Sequence, residues 1–277
     1  MISERMIDDW IAEDAPYFDL TTYMLGIGEA QGSIAYFSRE PITVACMEEA
    51  AHILGRVGLQ VTERKKSGAK AEAEEVILRA EGATASIHVG WKVTLNLFEY
   101  ACGISTRTAR LVEAARAVNP HIAVLTTRKV FPGTKGVSIA AALAGGALPH
   151  RLGLGETILI FENHLKKLGG YAELEGLLPG IKERVCDKEI CVEVESGEDA
   201  LRMIRAGADA IQFDKMPPKE LKGVIASIRD MGSNARIIAA GGVNADNAAA
   251  YAEAGVDAIS TTWVYFGKPA DMSVIIQ

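Results

Sequence analysis

Adjacent cations and isolated carboxylates, each at the end of an apolar run, are the residues of this chain that could do chemistry. Arg128 and Lys129 follow the run 122–125, and Glu193 and Asp214 end two later runs. Arginine offers a planar fork and lysine a mobile point charge to carboxylate or phosphate groups. A carboxylate beside a buried strand is costly unless a cation or a metal meets it. The pattern predicts an anion pocket beside a pair of acidic groups.

Two further basic residues, His150 and Arg151, extend this candidate anion pocket. On a continuous strand Arg128 and Lys129 would point to opposite faces, but the Pro-Gly loop that follows allows both to turn over one site. The alternative interpretation is a solvated basic pair at a strand end.

The carboxylates Glu193 and Asp214 are candidate metal ligands. Strand alternation places Glu193 on one face with Cys191, and Asp214 on one face with Gln212. Two carboxylates on neighbouring strands could hold Mg²⁺, which prefers oxygen ligands and often bridges to phosphates. The alternative is that each carboxylate pairs with a basic neighbour such as Arg128.

The glycine pair Gly241-Gly242, which follows an apolar run, is a candidate phosphate site. Glycine allows backbone N–H groups to approach a phosphate closely, and a helix that begins nearby adds its partial positive charge. Thr261 ends the next apolar run with a hydroxyl group. A phosphate site at the last two strand ends is a recurring feature of β/α barrels.

The elements that must position these residues follow a repeat that begins near residue 120. Apolar runs alternate with amphipathic helical stretches, which is typical of parallel β/α units covered on both faces. We therefore predict a β/α barrel, complete or incomplete, of about six parallel strands over residues 111–277. The predicted strands lie within 122–129, 157–164, 190–196, 210–215, 237–242 and 257–262.

The first part of the chain, residues 1–110, reads as a separate α+β lobe with a bridging helix. Residues 32–40 alternate like a strand, and 42–61 contain apolar residues at a helical spacing. Two more strands are predicted at 74–82 and 83–89, around a turn at Gly82. A long helix is predicted over 91–119, with a break at Gly103. The whole chain is thus expected to be an α/β protein.

Composition narrows the class of protein further. The formal net charge is −7, so the surface as a whole should not attract nucleic acid. No apolar run approaches the ~18–20 residues of a membrane span. The four cysteines form no CxxC pair and the charged start does not resemble a signal peptide. We expect a soluble, cytoplasmic protein with free, buried thiols and no nucleic-acid or membrane partner.

The motifs, taken in order, resemble the quinolinate phosphoribosyltransferase family, also called nicotinate-nucleotide pyrophosphorylase. The resemblance covers nearly the whole chain. It is carried by EDAPYFDLTT (13–22), LNLFEYACGISTRT (95–108), TRKVFPG (127–133), AAALAGGALPHRLGL (140–154), TILIFENH (157–164), VEVES (192–196), FDKM (213–216) and AAGGV (239–243).

This resemblance implies an α/β lobe followed by a β/α barrel, in a dimer or higher homo-oligomer whose subunits share active sites. It also implies transfer of ribose 5-phosphate from phosphoribosyl pyrophosphate, with Mg²⁺, to a nitrogen of the acceptor. By position it gives anion-pocket roles to Arg128, Lys129, His150 and Arg151, ribose and metal contacts to Glu193 and Asp214, and a 5-phosphate cradle to Gly241, Gly242 and Thr261.

Four positions depart from the family pattern. Phe161 stands where a pocket lysine is expected, and Lys92 where an arginine reaches the partner's site. Thr126 replaces an aspartate, and Lys215 replaces an asparagine after Asp214. LIFENH in place of LIKDNH is most similar to the ModD branch of the family, which is associated with molybdenum transport. This predicts an acceptor other than quinolinate.

Two alternatives stay open. One is a true quinolinate phosphoribosyltransferase of NAD biosynthesis, in which Lys215 or Lys135 supplies the missing charge. The other is a non-catalytic accessory protein that binds an anion, such as molybdate, in the former active site. The retained carboxylates argue against this second alternative, because they would repel an anion.

Overall fold

The computed structural model describes residues 2–277, which divide into two compact units. One unit contains the residues up to Ala109 together with Val130–Gly146 and Val264–Gln277. The other contains Arg110–Lys129 and Ala147–Trp263. Each unit is made of more than one segment of the chain. The division into domains at residues 1–110 and 111–277 therefore stays a prediction.

The first unit is an α+β lobe built on a four-stranded antiparallel sheet in the order β13-β1-β5-β3. A short two-stranded pair, β2-β4, lies in the same unit. The elements are α1 (Glu4–Asp14), α2 (Leu20–Leu25), β1 (Gln31–Ser38), β2 (Ile42–Thr43), α3 (Met47–Arg56), β3 (Gln60–Arg64), β4 (Lys70–Ala71), β5 (Val76–Ala83), α4 (Thr84–Val118, which belongs to the other unit from Arg110 on), α5 (Lys135–Ala144) and β13 (Met272–Ile276).

The core of this lobe follows the sequence patterns. In α3 the residues Ala50, Ile53 and Leu54 are buried, as their helical spacing predicts. Tyr36 of β1 is also fully buried and packs edge-on against Phe98 of α4, with ring centroids 5.7 Å apart. The predicted strand at 32–40 and the predicted helix within 42–61 are therefore confirmed.

The prediction of a strand at 83–89 is wrong, because α4 begins at Thr84. Residues 84–98 place Ile87, Val93, Leu97 and Phe98 in the core, and this helical pattern outweighs the strand propensity of the short segment. The helix then continues without a break to Val118.

The predicted helix break at Gly103 is also wrong. A Cβ at this position would lie 3.0 Å from the carbonyl oxygen of Lys268 and 3.1 Å from the backbone nitrogen of Ala270. The glycine therefore allows the backbone of a neighbouring segment to approach the helix closely.

The second unit is an open β/α barrel of seven parallel strands. The order is β7-β6-β12-β11-β10-β9-β8, and within residues 2–277 the end strands β7 and β8 do not pair with each other. The elements are β6 (Ala123–Thr126), β7 (Leu148–Pro149), β8 (Ile158–Ile160), α6 (Glu162–Leu168), α7 (Tyr171–Arg184), β9 (Ile190–Val194), α8 (Gly197–Arg205), β10 (Ala210–Asp214), α9 (Pro218–Asp230), β11 (Arg236–Ala240), α10 (Ala248–Glu253) and β12 (Ala258–Thr261).

The predicted fold class, an α+β lobe and a β/α barrel, is confirmed, and so are all six predicted strands. The seventh, β7, is only two residues long and includes a proline, so the sequence gives no strand signal for it. One face of the sheet carries Cys191, Ala210, Ile238 and Ala258. Strand alternation places the strand-end residues described below on this same face.

Two further expectations concern the whole chain. No helix in residues 2–277 is long and apolar enough to span a membrane. The four cysteines are free thiols, but Cys186 is exposed while the other three are buried.

Candidate active site

Glu193 and Gln212 form the best-defined polar contact of the site. They lie opposite each other on the neighbouring strands β9 and β10. Gln212 Nε2 donates a hydrogen bond to Glu193 Oε2 at 2.7 Å. Burial raises the pKa of the Glu193 carboxyl, and the nearby Asp214 also raises it, whereas the Gln212 hydrogen bond and the Lys129 ammonium lower it. The carboxylate is thus held near both a cation and a second acid.

Asp214 ends β10 and is packed tightly against the loop after β11. A Cβ on Gly241 would lie 2.5 Å from Asp214 Oδ1 and 2.8 Å from the backbone nitrogen of Lys215. Lys215 has a left-handed backbone with φ of 59°, and its backbone N–H donates to the carbonyl oxygen of Ala240. Its ammonium is exposed and lies 3.5 Å from Asp214 Oδ2. Gly241 is therefore required for the position of Asp214.

The glycine pair has the backbone geometry of a candidate phosphate cradle. Gly241 and Gly242 have φ of 82° and 78°, and a Cβ on Gly242 would meet no atom within 4 Å. The Thr261 hydroxyl is buried, donates to the carbonyl oxygen of Val243 at 2.6 Å and accepts from the Trp263 backbone N–H. A contact of Thr261 with a phosphate would therefore use its backbone.

Thr127 and Thr262 place hydroxyls on the site face of the sheet. Their Oγ1 atoms are 2.8 Å apart. Alternation along β12 puts Thr262, rather than Thr261, on the face that carries Ala258. Lys129 lies beyond the end of β6, close enough for its charge to lower the pKa of Glu193.

The four predicted anion-pocket residues gather at the β6 and β7 ends of the sheet. Arg128 and Lys129 are exposed, whereas His150 and Arg151 are partly buried. Burial and the Arg128 charge lower the pKa of Arg151, which as a guanidinium stays charged at neutral pH. Burial and Arg151 lower the pKa of His150, so this imidazole is mainly neutral at pH 7. The pocket thus has three cations and one neutral histidine.

Phe161 stands beside Glu193 on the site face. Its backbone is extended, with φ of −140° and ψ of 176°, and so continues β8 by one residue. Because Ile160 pairs with Val192, this continuation brings Phe161 level with Glu193. The ring packs edge-on against His164, with centroids 4.3 Å apart. An aromatic ring therefore occupies the position at which the family resemblance predicts a lysine.

Lys92, the remaining predicted site residue, belongs to the first unit. It lies on α4, is exposed, and its Nζ is 5.1 Å from the centroid of the Trp91 ring. Such a cation–π contact at an exposed site contributes about 0.5–1 kcal/mol. Its role stays a prediction.

The donor set fits Mg²⁺ only if the substrate completes it. No group of three His, Cys, Asp or Glu in residues 2–277 is arranged to hold a metal. Glu193 and Asp214 supply carboxylate oxygens from adjacent strands. Mg²⁺ commonly takes one or two carboxylates together with waters and substrate phosphates, and this pair meets that requirement.

Tyr171 and Gln212 also belong to the site, although no sequence motif assigned a role to either of them. The Tyr171 hydroxyl donates to the carbonyl oxygen of Glu193 at 3.2 Å. Burial and the surrounding carboxylates, Asp199 first, raise the pKa of Tyr171 to about 12, so the hydroxyl stays protonated as a donor. Nothing in the sequence around Tyr171, which begins a helix, predicts this contact. Strand alternation, in contrast, could have identified Gln212 as a residue of the site face.

Comparison with known proteins gives matches over nearly all of the chain. Family models described as "Quinolinate phosphoribosyl transferase, N-terminal domain" and "C-terminal domain" match residues 19–102 and 104–274. The protein named "Putative pyrophosphorylase ModD" from Rhodobacter capsulatus is 37% identical over 251 residues, 90% of this chain and 95% of that protein.

A "Probable nicotinate-nucleotide pyrophosphorylase (carboxylating)" from Methanothermobacter thermautotrophicus is 30% identical over 276 residues, which are 98% of each protein. The solved nicotinate-nucleotide pyrophosphorylase from Francisella tularensis superimposes with a TM-score of 0.88 at 24% identity, covering 99% of this chain and 95% of that one. The likeness to that structure shows the fold.

The fold and the sequence matches define an enzyme of the pentosyltransferase type. The chain belongs to the quinolinate phosphoribosyltransferase family, whose members use small-molecule substrates such as phosphoribosyl pyrophosphate. The resemblance inferred from the sequence motifs is confirmed.

Proposed function

We propose that this protein is a Mg²⁺-dependent phosphoribosyltransferase of the ModD type, which transfers ribose 5-phosphate from phosphoribosyl pyrophosphate to a nitrogen acceptor other than quinolinate. The observation that carries the proposal is the combination of a retained phosphoribosyl site, with Glu193, Asp214 and Arg151, and an aromatic ring at Phe161 level with Glu193. The link to molybdenum transport that the ModD resemblance implies is part of this proposal.

The chemistry requires no nucleophile from the protein. The bond between ribose C1 and the pyrophosphate oxygen breaks, its electron pair leaves with pyrophosphate, and the lone pair of the acceptor nitrogen forms the new bond to C1. Glu193 and Asp214 stabilise the positive charge that develops on the ribose, while Arg128, Lys129 and Arg151 hold the departing anion. The backbone of Gly241 and Gly242 would hold the 5-phosphate.

Glu193 and Asp214 would also hold Mg²⁺. Bound by these carboxylates, Mg²⁺ would supply positive charge to offset the negative charge of the pyrophosphate. The carboxylates therefore serve both the metal and the ribose.

The acceptor should carry fewer carboxylates than quinolinate. The loss of one charge-assisted hydrogen bond at position 161 would cost a quinolinate carboxylate about 1.5–3 kcal/mol, or roughly 10–100-fold in affinity. Phe161 instead offers the face or edge of a ring, which suits an uncharged planar group.

The exposed apolar residues of the first unit support the proposed homodimer. Six large apolar side chains between residues 17 and 25 are more than half exposed, and Tyr17 is 91% exposed. Three of them, Tyr17, Phe18 and Tyr23, line a groove of about 570 Å³. Patches of this kind mark protein interaction sites. The occupant that we propose is a second copy of this chain, because Lys92 is expected to reach a partner's active site.

The homodimer is tested by light scattering of the wild type and of a Tyr23→Ser/Met24→Ser double variant. We expect a wild-type dimer and a monomeric double variant, whereas Leu177→Ser, an exposed residue of the second unit, should leave the dimer intact. A monomeric wild type would contradict the proposal. The cytoplasmic location stays a prediction, which cell fractionation would test.

The proposed function is tested by calorimetry with phosphoribosyl pyrophosphate and Mg²⁺. We expect a dissociation constant below about 1 mM, which is the upper end of the usual KM range for substrates. Arg151→Ala should abolish it, and the control Arg184→Ala, at an exposed residue on α7, should not. No binding by the wild type at this concentration would contradict the proposal. Pyrophosphate release with quinolinate would favour the true quinolinate phosphoribosyltransferase instead.

A further inference from the structure

The side chain of Gln212 is a buried amide between two apolar residues of β10. Gln212 is only 7% exposed, and its neighbours Ile211 and Phe213 in β10 are fully buried apolar residues. Burial of an amide without hydrogen-bond partners costs about 1–3 kcal/mol in proteins. An apolar residue of similar volume would fill the space without this cost. Packing alone therefore does not account for an amide at this position.

The register of the sheet gives the amide a single charged partner. Gln212 lies between Glu193 on β9 and Ile238 on β11. The Ile238 side offers no hydrogen-bonding group, and on the Glu193 side the distance from Nε2 to Oε2 is 2.7 Å. The opposite amide orientation would place the carbonyl oxygen against a carboxylate oxygen, so the hydrogen bond fixes the orientation of the amide.

Glu193 is held at two points. The amide of Gln212 binds one carboxylate oxygen, and the hydroxyl of Tyr171 binds the backbone carbonyl of the same residue at 3.2 Å. The second carboxylate oxygen, Oε1, is left for a ligand. A hydrogen bond to a charged group is stronger than a neutral one, so the amide contact restricts the carboxylate to one orientation.

The surrounding charges would otherwise decide where this carboxylate points. Asp214 on β10 and Glu195 beyond β9 repel it, and Lys129 beyond β6 attracts it. Without the amide, only these charges would act on the orientation of the carboxylate.

We propose that Gln212 is a positioning residue that keeps the Glu193 carboxylate directed at the ribose of phosphoribosyl pyrophosphate. This inference rests on the proposed function. It assigns to Gln212 no contact with the substrate: the amide acts through Glu193.

The first test compares Gln212→Met with a matched control, Ile238→Met, which introduces the same residue on the next strand of the same face. In calorimetry with Mg²⁺, Gln212→Met should bind phosphoribosyl pyrophosphate about 10-fold more weakly, as expected for one hydrogen bond to a charged group. The control should change affinity less than about 2-fold, because methionine conserves the volume.

The decisive comparison repeats Gln212→Met in a Glu193→Ala background, which removes the acceptor of the hydrogen bond. If the amide acts only through the carboxylate, the second change should weaken binding by less than about 2-fold. An equal further loss in that background, or a wild-type affinity in Gln212→Met, would overturn the inference. Absence of binding by the wild type would instead contradict the proposed function.

The contact can also be measured without any ligand. Urea unfolding of the wild type, the two single variants and the double variant tests whether the two side chains interact. We expect the shifts in the unfolding midpoint to be clearly non-additive. Additive shifts would overturn the inference whether or not the protein binds phosphoribosyl pyrophosphate.

Discussion

Substitution of Gly241 by alanine should damage the site through the position of Asp214. The new Cβ would lie 2.5 Å from Asp214 Oδ1, 2.5 Å from Lys215 Cγ and 2.8 Å from the Lys215 backbone nitrogen. The Lys215 ammonium is exposed, so its side chain can move aside. The backbone nitrogen and the carboxylate are held by the end of β10 and cannot move as easily.

The magnitude has two parts. Alanine at a left-handed φ of 82° costs about 1–2 kcal/mol of unfolding free energy. The close contacts resemble overpacking, which costs about 1–3 kcal/mol. We therefore expect Gly241→Ala to lose about 2–5 kcal/mol of unfolding free energy in the absence of ligand.

Two matched controls separate these parts. Gly255 has φ of 91° and its Cβ would have only an ordinary contact, at 3.9 Å from Ile225 Cγ2, so Gly255→Ala should show the backbone strain alone. Gly242 has φ of 78° and open space around it, so Gly242→Ala should lose no more unfolding free energy than Gly255→Ala. Its methyl group, however, would obstruct a bound phosphate.

The assay is urea unfolding of the three variants, followed by calorimetry with phosphoribosyl pyrophosphate. Gly241→Ala should be the least stable of the three and should bind the ligand weakly. Gly255→Ala should bind normally. A stability of Gly241→Ala within about 0.5 kcal/mol of Gly255→Ala, the usual range of neutral substitutions, would show that the Cβ contacts with Asp214 and Lys215 cost nothing.

Four further predictions concern three other residues. Phe161→Lys should raise quinolinate-dependent pyrophosphate release by roughly 10-fold or more, because it adds a cation beside Glu193; Phe161→Met is the control, and no gain would show that the ring does not exclude quinolinate. Pyrophosphate binding near pH 6 should be accompanied by proton uptake, because burial lowers the pKa of His150 and a bound anion favours its charged form. Calorimetry in buffers of different ionisation enthalpy measures this uptake, which His150→Gln should abolish. Uptake that persists in His150→Gln would show that another group takes up the proton. The same lowered pKa makes the His150 contribution to unfolding free energy rise with pH up to about 6.5, since the unfolded chain binds more protons there. Thr22→Val should lower the thermal midpoint by about 2–4 °C, because its buried hydroxyl contacts both Asp19 and His88, whereas Thr21→Val should not; equal midpoints would show that the contact contributes nothing to stability.

The barrel and its strand ends could be predicted from the sequence because each parallel strand is a short apolar run with a polar residue after it. Arg128, Glu193 and Asp214 all follow such runs, and parallel strands bring these ends to one edge of the sheet. The hydrogen bond between Glu193 and Gln212 needed one more piece of information, the register between β9 and β10. That register depends on packing across the whole sheet, and a single sequence does not state it.

The remaining differences have similar physical origins. The segment 83–89 is too short for its strand propensity to compete with a helix that continues for 35 residues. Residues 130–146 and 264–277 belong to the first unit through contacts with residues far away in sequence, for which no local signal exists. Thr261 and Thr262 differ only in the face on which they lie, and this face is fixed by the exact position of β12.

Under the proposed function, a phosphoribosyl transfer site is retained while its acceptor specificity has changed. The most direct test measures pyrophosphate release from phosphoribosyl pyrophosphate and Mg²⁺, with quinolinate and with a panel of nitrogen heterocycles that carry one carboxylate or none. We predict release that depends on an acceptor from the panel and on Glu193, with little or none for quinolinate. Efficient release with quinolinate, at a rate that Phe161→Lys does not change, would contradict the account.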